Sequence, residues 1–325
     1  MASTGDIKRR IKSISSTKKI TKAMEMVAVV KMRKAIESVL RTRSYANLSW
    51  LTILNLSQAI NNSDKPLHPL LEKRNKIKKT GVILITSNRG LCGGFNTAII
   101  NKINNAIKKH CESEGKLIKQ TEFILIGKKG VAVYNYFGYN IVADFPKYDV
   151  ISEVKEILPI SQLIIKEYLE KKYDQIFVAY TDYINTTKQI PRVKQLLPID
   201  ITAEDEHLGI VGQDLRLGIK KSFMEENVAQ NLKQGGFTYE YTFEPNPTEV
   251  LDEMLPRLIE IQLFQALLES NASEHSARMT AMRQATDAAG DMVDELTLFY
   301  NKARQAGITA EIAEISAGAN AMKND

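Results

Sequence analysis

The stretch Asp6-Ile7-Lys8-Arg9-Arg10-Ile11-Lys12-Ser13-Ile14 opens a run, residues 3–60, that has no proline and no glycine beyond Gly5. Along it Ile7, Ile11, Ile14, Ile20, Met24, Val27, Ala35 and Val39 recur at helical spacing. Ser3 and Asp6 give a capping-box-like start. The turn residues and proline of Asn61-Asn62-Ser63-Asp64-Lys65-Pro66 supply the stop. A helix of about 55 residues is about 80 Å long, several times the usual globular helix.

The other end of the chain repeats the pattern. Residues 248–325 place Leu255, Leu258, Ile261, Leu268, Met279, Met282, Met292, Leu296 and Phe299 on a helical period. Asn246-Pro247-Thr248-Glu249 reads as a helix start, with Asn at the N-cap, Pro at N1 and Glu at N3. Pro256 is expected to kink this helix or force a restart. Gly290 and Gly307 each cost it roughly 1 kcal/mol against Ala.

The charge of the two ends differs in sign. The 325 residues carry a net +6. Residues 1–45 hold twelve Lys and Arg against three acids, and residues 249–325 hold thirteen acids against six bases. Opposite charge favours pairing of the two terminal helices over self-association.

Between them the pattern changes. Val82-Ile83-Leu84-Ile85 and Phe123-Ile124-Leu125-Ile126 are short, fully apolar runs of the buried-strand type. Asn140-Ile141-Val142, Ile176 to Tyr180 and Gln189 to Leu197 read as further strands. Helical segments are expected at 96–110, 128–137 and 152–171, which gives a mostly parallel, helix-covered sheet. Residues 200–236 read as a polar insertion with a short helix near 222–233, and Phe237 to Phe243 as an edge strand.

Chemistry-bearing constellations are scarce. Cys92 and Cys111 are the only cysteines and have no metal-ligand spacing; His68, His110, His207 and His275 are scattered. The loop Asn88-Arg89-Gly90-Leu91-Cys92-Gly93-Gly94 is neither GxGxxG nor a P-loop, so it reads as a tight strand-to-helix turn. We expect no catalytic, cofactor-binding or metal site. No apolar run reaches the ~18 residues of a membrane span.

Two segments ask for neighbours instead. Ala23 to Met32 is apolar nearly all round, more than one partner helix can cover. Ala306 to Ala319 is small, apolar and sparsely charged, and a lone helix of that kind is poorly stabilised in water. Paired antiparallel, the longer C-terminal helix overshoots by roughly 20 residues, about 30 Å.

Three stretches carry a resemblance: Asp6 to Ile11 with Thr17 to Ala28; Arg89 to Asn96; and Ala272 to Met279 with Ala285-Thr286-Asp287 and Tyr300 to Thr309. Together they resemble the gamma subunit, the central rotor stalk, of the F-type ATP synthase. The resemblance implies a long antiparallel coiled coil of N- and C-terminal helices (1–60 and 246–325) plus a Rossmann-like α/β domain (78–245, insertion about 200–236). It implies a non-catalytic shaft that carries rotation of the proton-driven c-ring to the alpha/beta hexamer, with the epsilon subunit at its foot. Such a chain is peripheral to the cytoplasmic face of the bacterial inner membrane and needs no cofactor or nucleic acid. Residues matching the family's contact with beta subunits are Met24, Glu274, Arg278, Arg304, Gln305 and Thr309. There, Arg278 and Arg304 would pair with carboxylates, Gln305 and Thr309 would hydrogen-bond, and Met24 would pack. The insertion lacks the cysteine pair of the plant chloroplast form, so no thiol switch is expected there.

A nucleic-acid-binding coiled coil is a competing reading of the basic N-terminal helix, and it requires strongly salt-dependent affinity. The acidic C-terminal helix opposes it. A Rossmann-like enzyme with helical arms requires a convergent polar set at the strand ends, which the sequence does not supply.

Overall fold

A computed structural model describes residues 4–60, 68–72, 74, 77–114, 121–148, 154–199 and 246–321. The elements in chain order are α1 (Thr4–Ile60), β1 (Thr80–Ile85), α2 (Phe95–Glu114), β2 (Thr121–Ile126), α3 (Ala132–Phe137), β3 (Asn140–Phe145), α4 (Leu158–Leu169), β4 (Gln175–Tyr183), β5 (Gln189–Leu197) and α5 (Pro247–Ala321). The chain divides into two compact units, Lys31–Ala277, and Met1–Val30 with Arg278–Asp325.

In the larger unit the five strands form one sheet in the order β3-β2-β1-β4-β5. The β1–β2, β1–β4 and β2–β3 pairs are parallel and β4–β5 is antiparallel. Central strands of a parallel sheet are covered on both faces, and Val82, Ile83, Leu84 and Ile85 are accordingly all buried. Alternate residues serve two cores. Ile83, Ile85, Ile124, Val178 and Tyr180 meet α4, Val39 of α1, and α5 from Leu251 to Ala272. Val82, Leu84, Phe123, Leu125 and Phe177 meet Ile99, Ile103 and Ile107 of α2.

Close backbone approach occurs where β2 leaves the sheet. Gly127 has φ 104°, and a Cβ there would lie 2.4 Å from the Thr86 carbonyl oxygen. The connector ahead of β1 is tied down by Arg74, which donates to Asp174 Oδ1 at 3.0 Å and to the carbonyls of Tyr168 and Tyr173. His68 Nδ1 accepts from the Leu70 amide and its Nε2 meets Asp252 Oδ1 at 2.9 Å, which fastens the connector to the first turns of α5.

α5 begins as its sequence indicates. Asn246 Oδ1 accepts from the Glu249 amide at 2.9 Å and its Nδ2 donates to Glu249 Oε1 at 2.6 Å. No restart occurs at Pro256: the helix runs unbroken through it. The lost amide bond is offset by packing, because Leu255, Leu258 and Ile259 around it are all buried in the core. The fourth expected helix is shorter than 152–171, with a 3-10 turn at Val154–Glu156 before α4. The insertion 200–236, its helix near 222–233 and the strand Phe237 to Phe243 lie outside the described residues.

In the smaller unit α1 and α5 run antiparallel. Thr286 Oγ1 meets Thr21 Oγ1 at 2.8 Å, and the Cα of Gly290 faces Lys18. Asp6, Ile7 and Arg10 line an open groove of 650 Å³ with Leu296, Phe299 and Lys302. α5 continues past this groove, and its residues 304–317 are all exposed. The fold is thus a paired set of long terminal helices plus a mixed five-stranded α/β sheet.

Candidate partner-binding surface

Three of the six sequence-derived contact residues share the exposed end of α5. Arg304, Gln305 and Thr309 are all exposed. Gln305 and Thr309 stand four residues apart and so share a helix face. The Thr309 hydroxyl donates to the Gln305 carbonyl at 2.9 Å, which fixes its rotamer and leaves its lone pairs outward. Between them Ile308 is 49% exposed, and one and two turns further Ile312 and Ile315 are 60% and 73% exposed. That gives an apolar stripe with polar groups at its lower edge.

Met24 and Arg278 are half-buried on the paired portion of the same unit. Near Met24, Ile20, Met26, Val27 and Val30 are each more than half exposed. The all-round apolarity of Ala23 to Met32 is therefore only partly met: Ala28 and Met32 are buried and Met24 and Val29 half-buried, while Met26, Val27 and Val30 face outward.

Glu274 lies elsewhere, in the larger unit. It is 3% exposed, and its Oε2 receives Lys147 Nζ at 2.6 Å. Lys147 itself is buried and stacks over the Phe95 ring at 5.6 Å. The Lys147 carbonyl accepts from Asn88 Nδ2. This gives the Arg89–Asn96 motif a physical role. Asn96 Oδ1 accepts from the Ser87 amide at 3.0 Å, and its Nδ2 donates to Ser87 Oγ at 2.8 Å and to Cys92 Sγ at 3.4 Å. The glycine-rich turn is held by its own side chains, and Asn88 and Lys147 link it to α5. Around Glu274 the helix is clamped further: Asn271 Nδ2 donates to the Tyr148 carbonyl and Ser276 Oγ to the Thr186 carbonyl.

Sequence reasoning missed Lys147, which is 127 residues from its partner. The only local sign is a lysine flanked by apolar and aromatic residues in Phe145-Pro146-Lys147-Tyr148. It also missed two buried acids, Asp182 on β4 and Glu269 on α5. Among the described residues no group of three or more His, Cys, Asp or Glu could hold a metal ion. No described helix is long and apolar enough to cross a membrane.

A family model described as ATP synthase matches residues 3–322. The ATP synthase gamma chain of Nitrosomonas eutropha is 36% identical over 322 residues, 99% of this chain and all of that one. The gamma chain of Haemophilus influenzae (strain PittGG) is 37% identical over the same shares. Among solved structures, a chain of the Tetrahymena thermophila mitochondrial ATP synthase central stalk and c-ring aligns with a TM-score of 0.57 at 21% identity, covering 82% of this chain and 99% of that one. A chain of the Euglena gracilis mitochondrial ATP synthase in rotational state 3 aligns with a TM-score of 0.61 at 16% identity, covering 98% and 94%. Those two share the fold; the family rests on the near-complete match of the family model and of the full-length relatives, and this chain belongs to the ATP synthase gamma chain family, the non-catalytic central stalk of that complex.

Proposed function

We propose that this chain turns inside a sleeve of alternating alpha and beta subunits and that its exposed faces meet the beta subunits one after another. The observation that carries this reading is the exposed apolar stripe of Ile308, Ile312 and Ile315 near the end of α5. Apolar contact is non-directional, so such a stripe can turn in an apolar bearing without breaking specific bonds. Below it, Arg304, Gln305 and Thr309 offer directional contacts that hold and release. Met24 packs and Arg278 pairs on the same rotor surface. Glu274, seated on Lys147, takes part by fixing the helical turn that precedes Arg278. An asymmetric helix pair presents different contacts to three otherwise identical subunits at any instant, and that difference in contact energy biases their binding states.

The same reading divides the chain into the N-terminal helix (1–60), the α/β domain (78–245, insertion about 200–236) and the C-terminal helix (246–325). The α/β domain stands on the epsilon subunit and the c-ring, peripheral to the cytoplasmic face of a bacterial inner membrane.

The double substitution Arg304→Ala with Gln305→Ala in assembled enzyme tests it. One lost charge-assisted hydrogen bond is about 1.5 kcal/mol, roughly tenfold in rate. Coupled turnover is expected to fall by about that factor while the unfolding of the α/β domain stays unchanged. Unaltered turnover removes the contact assignment. Failure of the wild-type chain to co-purify with an alpha/beta hexamer removes the sleeve.

A further inference from the structure

The connector between α1 and β1 is held at one histidine. His68 is 7% exposed and caps the 3-10 turn Pro69–Leu71. Its ring uses both nitrogens. Nδ1 accepts from the Leu70 amide at 3.1 Å, and Nε2 meets Asp252 Oδ1 of α5 at 2.9 Å. An amide N–H can only donate, so Nδ1 carries no proton; a carboxylate can only accept, so Nε2 carries one. The neutral ring with its proton on Nε2 is the one form that makes both bonds. The same turn holds a third segment. The Leu70 carbonyl accepts from the Ile199 amide at 3.0 Å, just past β5, and the Leu70 side chain is buried in the core that contains Leu251 and Leu255.

Among the described residues, few titratable groups surround the ring. On α5, Asp252 is the charge that acts on it, Glu249 is engaged by Asn246, and Glu253 is exposed. On the connector, Glu72 is exposed and Arg74 pairs with Asp174. On α4, Lys166 pairs with Glu170, and Glu167 with Lys172. Tyr168 donates to the Glu72 carbonyl and stays neutral, pushed up to about 12 chiefly by burial.

We propose that His68 is an acid-released latch: its neutral ring holds the connector to α5, and a second ring proton opens the Leu70 side of that hold. The proton arrives from solvent at Nδ1. It turns the acceptor of the Leu70 amide into a donor, so two N–H groups face each other in a buried turn and the turn has to swing away. The Nε2 bond to Asp252 survives and gains charge, so the ring stays with α5 while Pro69–Leu71 leaves it. Burial disfavours the charged ring and outweighs Asp252, which holds His68 below the ordinary value of 6.5. The contribution of the neutral ring to stability is therefore complete above 6.5 and is lost as pH falls through the lower native value. The junction of connector, β5 exit and first turns of α5 thus stays closed at neutral pH and loosens on mild acidification.

Ring-nitrogen NMR of the full chain with labelled histidines reads the latch, and the signal lost in His68→Asn identifies its ring. At neutral pH that ring should show a bare Nδ1 and a protonated Nε2, with a titration midpoint below 6.5. The opposite tautomer, or a midpoint at or above 6.5, overturns the proposal without any further variant. Asp252→Asn should shift the midpoint further down, because the charge that favours the imidazolium is gone; an unmoved midpoint overturns the pairing. Amide exchange gives the mechanical half. Protection of the Leu70 and Ile199 amides should fall severalfold in the wild type between about pH 7 and about pH 5. It should hold level in His68→Asn, whose side chain can accept from the Leu70 amide but does not titrate. Equal loss in both chains overturns the claim that His68 releases the turn.

Discussion

At the residue scale, the ion pair of Lys147 and Glu274 shows how a side chain on a contact motif can be committed inward. Both partners are almost fully buried, with side-chain exposures of 2% and 5%. Breaking such a pair by removing one partner strands a charge in a poor solvent, at about 3–5 kcal/mol. Lys147→Met is therefore expected to lower the urea midpoint of the larger unit strongly. The double change Lys147→Met with Glu274→Leu should recover most of the loss, since apolar side chains of similar volume replace a buried pair at little net cost. If the single variant unfolds like the wild type, the pair is not what ties the glycine-rich turn to α5.

At the element scale, both long helices and the α/β order can be read from period and punctuation. The runs Val82–Ile85 and Phe123–Ile126 have no alternation because both of their faces are covered, and that is itself the mark of a central parallel strand. What could not be read is whatever depends on distant partners. Pro256 reads as a break because the local cost is visible and the buried leucines around it are not. Glu274 reads as an outward contact because Lys147 is far away in sequence. Asp182 stands near the end of an apolar strand, and nothing local says that it is buried or that Arg192 pairs with it. Gly290 is the opposite case, a local cost with a local remedy. A Cβ there would lie 2.9 Å from Lys18 Nζ, the free end of a flexible side chain. Gly290→Ala should raise the stability of the helix pair by about 0.5–1 kcal/mol, as expected for an alanine in place of an interior helical glycine. A lowered thermal midpoint for this variant would mean that Lys18 cannot swing aside.

At the scale of the whole molecule, the two compact units differ in how much apolar surface each hides. The larger one contains both hydrophobic clusters, with Ile83, Leu84, Ile124 and Leu125 at 0% exposure. Among the described residues of the smaller one, the buried hydrophobics are Ala28, Met282 and Ala289. Burial contributes about 25 cal/mol per Å² of apolar surface, so three such side chains are little against the ordering cost of two helical segments, about 1–2 kcal/mol per residue for the backbone alone. Most of the stabilising surface of this unit, from Met26 and Val30 to Ile312 and Ile315, is still in contact with water. A helix pair so poorly covered is marginal alone and gains stability from whatever encloses it. In the free chain, amide hydrogens of residues 4–30 and 278–317 should therefore exchange by local opening, orders of magnitude faster than those of β1. In assembled enzyme the same amides should slow by at least a hundredfold, because a sheath that covers the apolar stripe adds its contact energy to every opening. Equal protection of both units in the free chain would mean that the helix pair is self-sufficient, and the exposed isoleucines would then need a purpose other than being enclosed.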